Sequence, residues 1–273
     1  MTGPAIEING LWKSYDGRPI LRGIDLVVER GESLVILGPS GGGKSTLLRC
    51  IVGLERPDRG MVRIQGTDLL RADRREQREL RKRIGMAFQA GALFGSMTLA
   101  ENIDLPLREY TRLLPSTRRI LARIKLGLVG LEEALDRFPA QLSGGMKKRA
   151  SLARALALDP ELLFFDEPSA GLDPVTAAGL DRLLLRMKEV FDVTLVVVTH
   201  ELVSAFLVAD RIVLLEEGRI LVSGTPDEVR QSTNETVKNF LGRVPAEPQT
   251  AGAGIRQYLD ADPDRGSAPG GTP

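Results

Sequence analysis

The sequence predicts an α/β protein built around a parallel sheet buried on both faces. Three observations predict it. Leu162–Phe165 and Thr194–Val198 are continuous apolar runs, the pattern of strands covered on both sides. Ser33–Leu37 is a third short apolar run, and it ends in a glycine-rich turn followed at once by helix-forming residues. From Leu162 onward, strand-like and helix-like segments alternate, as in βαβ units.

Taken in order, Ile6–Tyr15 and Ile20–Val28 alternate apolar and polar residues, as half-buried strands do. Met61–Ile64 is another strand candidate. Arg71–Arg83 is dense in charge, but Asp73, Glu76 and Glu79 stand among its arginines. Mixed signs at helical spacing predict a solvated helix rather than a nucleic-acid patch. Ile84–Phe88 reads as a strand with Gln89 at its end. Between Ala90 and Asp159 the character is helical: Thr98–Tyr110 and Thr117–Leu126 carry apolar residues at i, i+3 and i+4. Arg211–Leu215 resembles a further strand, and Val237–Leu241 is the last apolar segment. After Arg243 the composition turns to Pro, Gly, Ala and Asp, which predicts a mostly disordered tail over 244–273. Ile255, Tyr258 and Leu259 interrupt it, either as a chance cluster or as an anchor that docks on a partner subunit. There is no internal repeat.

Composition bounds the function classes. With 273 residues, 42% hydrophobic and 27% charged, the chain can bury an ordinary core. A formal net charge of +1 gives no reason to expect a polyanion, so no nucleic-acid partner is expected. The single cysteine, Cys50, excludes an internal disulfide and fits a reducing compartment; it reads as a small buried hydrophobe. MTGPAIEING lacks the basic flank and apolar run of a secretion signal, and no stretch approaches the ~18 consecutive apolar residues of a spanning helix. The expectation is a cytoplasmic protein that needs another chain to span any membrane it serves.

Gly38, Pro39, Ser40, Gly41, Gly42, Gly43, Lys44, Ser45 and Thr46 match G-x-x-x-x-G-K-[ST] between an apolar strand and a helix. Phosphate oxygens need many donors at close range. Glycines let backbone N–H groups approach, and the helix N-terminus adds positive potential. Lys44 is expected to bridge the β- and γ-phosphates of ATP, and Ser45 to ligate Mg²⁺.

Leu162–Phe165 is followed by Asp166 and Glu167, two carboxylates at the C-terminal end of a buried strand, where open α/β sheets place their ligands. Asp166 fits the Mg²⁺ shell through a coordinated water, and Glu167 fits the group that orients the attacking water. His200, the only histidine, directly follows the run Thr194–Thr199 and is assigned to the γ-phosphate. Gln89, at its own strand end, fits a contact to Mg²⁺ and water. Tyr15 is the candidate for stacking on adenine, with Trp12 as the fallback.

Gln141-Leu142-Ser143-Gly144-Gly145-Met146-Lys147-Lys148-Arg149-Ala150 precedes a helix that is expected to run through Ala157. Ser-Gly-Gly at a helix start is a second anion cradle. Two cradles on one γ-phosphate are redundant in a single chain, so the second is expected to serve the ATP of another copy.

Together these motifs resemble the ATP-binding cassette (ABC) ATPases, over about residues 5–243. Gly38–Thr46 matches their Walker A, Gln89 the Q-loop, Leu142–Gly145 the signature and Leu162–Asp166 the Walker B with Glu167 beside it. Ser169–Asp173 matches the D-loop and His200 the switch histidine. The resemblance implies a RecA-like P-loop NTPase core with an antiparallel β-subdomain over about 5–89 and 160–243, and an inserted α-helical subdomain over about 90–159. It implies a head-to-tail homodimer, with ATP held between Lys44 of one copy and Ser143, Gly144 and Gly145 of the other. It also adds Asp173 to the nucleotide-binding residues and implies a multi-span membrane permease as partner. Met146 stands where many cassettes have Gln. That departure, with Gly85–Ile103 and Pro106–Glu109, is similar to the ATPases of bacterial lipid transporters that work with MCE lipid-binding proteins, the Mla and Mkl types. The location then implied is peripheral, on the cytoplasmic face of the inner (plasma) membrane. Leu93 and Phe94 would meet the permease or else pack in the helical core.

Two alternatives stay open: an importer ATPase for another solute, because cargo never touches this subunit, and a non-transport cassette such as one in Fe–S assembly. A P-loop kinase or small GTPase leaves Ser143 and His200 without roles.

Overall fold

The computed structural model describes residues 3–88 and 92–242. Its strands are β1 (Ile6–Tyr15), β2 (Arg18–Val28), β3 (Ser33–Leu37), β4 (Arg59–Ile64), β5 (Thr67–Asp68), β6 (Ile84–Ala87), β7 (Leu162–Asp166), β8 (Thr194–Thr199), β9 (Arg211–Glu216) and β10 (Arg219–Gly224). Its α-helices are α1 (Lys44–Ile51), α2 (Arg74–Lys82), α3 (Leu99–Tyr110), α4 (Pro115–Leu128), α5 (Gly144–Ala155), α6 (Pro174–Phe191), α7 (Leu202–Val208), α8 (Pro226–Arg230) and α9 (Glu235–Gly242).

Two sheets form. One is antiparallel, in the order β2-β1-β4-β5. The other has the order β10-β9-β3-β8-β7-β6; it is parallel from β9 to β6, with β10 antiparallel at the edge. Every residue of β3, β7 and β8 is buried, which explains their unbroken apolar runs. Because strand side chains alternate between faces, the six-stranded sheet separates two cores. Leu34, Ile36, Phe164, Val196 and Val198 join α1 and the antiparallel sheet. Val35, Leu37, Phe165, Leu195 and Val197 join the helices of 99–155 and α6. This is the α/β architecture expected of an ABC ATPase.

Several boundaries follow from local chemistry. Asp73 caps α2 and Thr98 caps α3, each in a capping box with Glu76 or Glu101. Only Leu80 of α2 is buried, so the charged segment is a solvated helix. The signature helix ends at Ala155, two residues short of the expectation. The strand β10 was not anticipated. Leu93 packs against the core, whereas Phe94 is 48% exposed, so the two residues expected to act together have different environments. Residues 244–273, with Ile255, Tyr258 and Leu259, lie outside the described residues.

Candidate active site

Residues 38–43 join β3 to α1 and are shaped by the neighbouring strand. A Cβ on Gly38 would stand 2.0 Å from the Leu215 carbonyl oxygen, so no other residue fits without displacing β9. Gly42 N–H donates to the Pro39 carbonyl at 3.2 Å and Gly218 N–H to the Gly42 carbonyl at 3.3 Å, tying the loop to itself and to the β9–β10 turn. Since α1 begins at Lys44, the unpaired N–H groups of its first turn face the loop. Lys44 is 6% exposed, and its ammonium donates to the carbonyls of Gly38 and Pro39, each at 2.9 Å. Burial lowers its pKa, while Glu167 and Asp166 pull it up.

The carboxylates close the other side. Asp166 and Glu167 are both buried at the end of β7. Ser45 Oγ donates to Asp166 Oδ1 at 2.9 Å. A hydroxyl and a carboxylate converging beside a phosphate loop are hard oxygen donors, and they fit Mg²⁺, which takes few protein ligands and completes its shell with water and phosphate.

Glu167 is held from several directions. Its φ of 51° lies in the left-handed region, a conformation that costs a non-glycine residue about 1–3 kcal/mol and clusters at functional sites. Its N–H donates to the Val198 carbonyl at 2.8 Å. Its Oε2 lies 2.9 Å from His200 Nδ1 and accepts from Thr199 Oγ1 at 3.3 Å and from His200 N at 3.4 Å. His200, assigned to the γ-phosphate from sequence, directs its Nδ1 at the carboxylate, an orientation the sequence did not reveal. The tautomer with hydrogen on Nδ1 donates that bond. Lys148 Nζ donates to the Glu167 carbonyl at 3.1 Å. Burial lowers the Lys148 pKa, against Glu167, Asp166 and Glu201.

The structure thus brings Lys44, Ser45, Asp166, Glu167 and His200 together. Ser143 caps α5, where it is exposed and accepts from Met146 N at 3.3 Å. Gly145 must be small, because a Cβ there would stand 2.6 Å from Thr176 Cγ2 on α6. Asp173 spends its carboxylate on capping α6, accepting from Val175 N at 3.1 Å and Thr176 N at 3.0 Å. Bonding to Thr176 pulls its pKa down. Tyr15 ends β1, is 38% exposed, and has the Lys13 ammonium 5.1 Å from its ring centre. The Trp12 indole is equally exposed and lies against Gly23. Gln89 lies outside the described residues. Lys148 had no assigned role in the sequence; its one signal was a basic run following the signature glycines.

Beyond the site, a groove of about 520 Å³ is lined by Met86, Phe88, Phe94, Pro106 and Tyr110. Another of about 700 Å³ runs along α7 beside Leu241 and contains none of the residues above.

A glycine loop between strand and helix, with a carboxylate pair at a nearby strand end, defines a P-loop nucleoside triphosphatase. The family model described as "ABC transporter" matches residues 21–170. The chain is 43% identical over 239 residues to the probable ribonucleotide transport ATP-binding protein mkl of Mycobacterium tuberculosis, covering 88% of this chain and 67% of that one. It is 39% identical over 236 residues to the intermembrane phospholipid transport system ATP-binding protein MlaF of Haemophilus influenzae, covering 86% and 89%. It is also 39% identical over 245 residues to the L-cystine import ATP-binding protein TcyN of Bacillus subtilis, covering 89% and 94%. Among solved structures, the dimeric post-hydrolysis state of the ATP-binding cassette MJ0796 bound to ADP and Pi aligns with a TM-score of 0.75 at 33% identity, covering 81% of this chain and 98% of that one. The chain belongs to the ABC transporter family as an ATP-binding subunit, and its activity is ATP hydrolysis.

Proposed function

We propose that this subunit works as a homodimer that grips ATP between two copies and drives a multi-span permease carrying phospholipid, with an MCE-type lipid-binding protein as a further partner. The observation that carries the ATP chemistry is the convergence of Lys44, Ser45, Asp166 and Glu167 at one loop. Lys44 exchanges its two carbonyl partners for the β- and γ-phosphates. Ser45 and Asp166, with Gln89, hold Mg²⁺, which supplies charge neutralisation of the transferred phosphoryl group when bound. Glu167 orients the attacking water. His200 keeps Nδ1 on Glu167 and offers Nε2 to the γ-phosphate. Tyr15 stacks on adenine. Ser143, Gly144 and Gly145 present the α5 N-terminus to the partner's ATP, and Asp173 sets the loop beside it by capping α6.

Glu167→Gln is expected to lower turnover by about 10²–10⁴ while ATP binding persists, measured as phosphate release against equilibrium nucleotide binding. Wild-type turnover in that variant would remove Glu167 from the chemistry.

The membrane partner is supported by the apolar groove at Phe94, beside the segment expected to meet a permease. Among the described residues no helix is long and apolar enough to cross a membrane. As an ATP-binding subunit paired with a permease, the protein would sit peripherally, on the cytoplasmic face of the inner membrane. The lipid reading draws support from Met146 in the signature and from alignment with MlaF over most of both chains. A second reading, another solute, is favoured by the equal identity to a relative named for cystine import and the higher identity to one named for ribonucleotide transport. Recovery of the complex from detergent-solubilised membranes, with analysis of its bound lipid, separates them. Co-purification of a permease without phospholipid would favour the second.

A further inference from the structure

The helix that bears the Ser143 cradle also reaches this chain's own hydrolytic carboxylate. Ser143 is the N-cap of α5, and Lys148 lies five residues on, about 7.5 Å along the helix axis. From there its ammonium donates to the carbonyl of Glu167 at 3.1 Å, nineteen residues away in sequence. That carbonyl belongs to the residue whose backbone sits in the left-handed region, so the peptide it anchors has little tolerance for displacement. Ala170 N–H shares the same acceptor at 3.3 Å. The helix tip approaches α6 closely at Gly145, where a Cβ would stand 2.6 Å from Thr176 Cγ2.

We propose that Lys148 is a positioning residue that couples the two ATP sites. Engagement of one copy's Ser143 cradle by its partner's ATP is transmitted along α5, through the Lys148–Glu167 bond, to the orientation of Glu167 in that copy's own site. The coupling rests on the two-copy reading above. It makes hydrolysis at one site depend on nucleotide at the other with no contact between the nucleotides. A lysine is well matched to such a link, because its charge suits a carbonyl flanked by two carboxylates and its long stem spans from helix to strand end.

The test uses the full chain with Lys148→Met and Lys148→Arg, each also combined with Glu167→Gln. Lys148→Met is expected to lower kcat by about 10- to 100-fold, the scale of a misplaced catalytic group. It should abolish cooperativity in ATP while leaving KM and the melting temperature near wild type. Lys148→Arg should restore most of both losses. Glu167→Gln/Lys148→Met should still form an ATP-dependent dimer by light scattering. Wild-type kcat and cooperativity in Lys148→Met would overturn the coupling. So would loss of ATP binding together with rate, or failure of arginine to rescue, since either marks a packing role. Absence of an ATP-driven dimer in Glu167→Gln alone would instead sink the two-copy reading beneath it.

Discussion

Asp181 is buried between α6 and α7, the helices that follow the D-loop and the switch histidine. Its Oδ2 accepts from Ser204 Oγ at 2.7 Å, while Oδ1 has no hydrogen-bond partner. Burial raises its pKa, the Ser204 bond lowers it and Glu201 raises it again, with a net rise. Because the folded-state value exceeds the unfolded one of about 3.9, its contribution to stability is fully present below that pH and is lost as pH rises through the folded value. Asp181→Asn removes this dependence. The melting temperature of the wild type relative to Asp181→Asn is therefore expected to fall as pH is raised from about 4 to 8; parallel melting curves across that range would refute it. At this scale the sequence was legible wherever chemistry is local. The spacing of Gly38–Thr46 and the carboxylates after Leu162–Phe165 identified Lys44, Ser45, Asp166 and Glu167 as a group, and the geometry brings them together. Lys148 and Asp181 were not legible, because their partners are fixed only by how α5, α6 and α7 pack. The bond between His200 and Glu167 was equally hidden: spacing places a histidine at a strand end but does not orient its ring.

Among the elements, α3 organises the loop that precedes it. Asn102 is fully buried, and its amide donates to the carbonyls of Phe94, Met97 and Thr98 at 3.2, 3.1 and 2.9 Å, while Phe94 N–H donates to its Oδ1 at 2.8 Å. One side chain thus sets the path of the segment that leaves Phe94 half exposed at the apolar groove. Asn102→Leu strands the Phe94 N–H and the Met97 carbonyl, while the Phe94 and Thr98 carbonyls keep the N–H groups of Met97 and residue 102, and is expected to cost about 3 kcal/mol by denaturant unfolding. A loss under about 0.5 kcal/mol, typical of surface changes, would show the loop does not depend on it. Long periodic elements such as α3 and α4 were foreseen within a few residues. β10 was not, and its turn explains why. Glu217 and Gly218 both have positive φ, 46° and 75°, the geometry of a tight hairpin turn normally announced by Asn-Gly or Asp-Gly. With Glu in the first position that announcement is missing, and most of the strand beyond is only partly buried.

For the molecule as a whole, the sheet that carries the site also separates the two cores, so the nucleotide loop stands at the edge of one and the helices of 99–155 belong to the other. The bidentate pair of Arg211 with Glu32, at 2.6 and 3.1 Å, ties the start of β9 to the turn before β3 across 179 residues of sequence. A ligand that engages the folded state alone stabilises all of this at once. For Glu167→Gln, Mg-ATP at about 100 times its Kd is expected to add about 2.7 kcal/mol. The melting temperature should also rise with protein concentration if two copies share the nucleotide. A nucleotide shift that is the same at all protein concentrations would argue against the shared site. The α/β class was legible from three apolar strands, but the division into two cores was not, because apolar runs do not reveal which helix covers which face.

The carbonyl of Leu215 beneath Gly38 has a kinetic corollary. The receptacle for triphosphate is moulded by a strand from far along the chain, so its shape is set by folding rather than by the arriving guest. Little chain entropy is then surrendered on loading. The Lys44 ammonium would then trade its two carbonyl partners for phosphate oxygens. Capture should therefore be quick and nearly unselective in timing, leaving the slow, decisive steps to whatever follows once the site is filled.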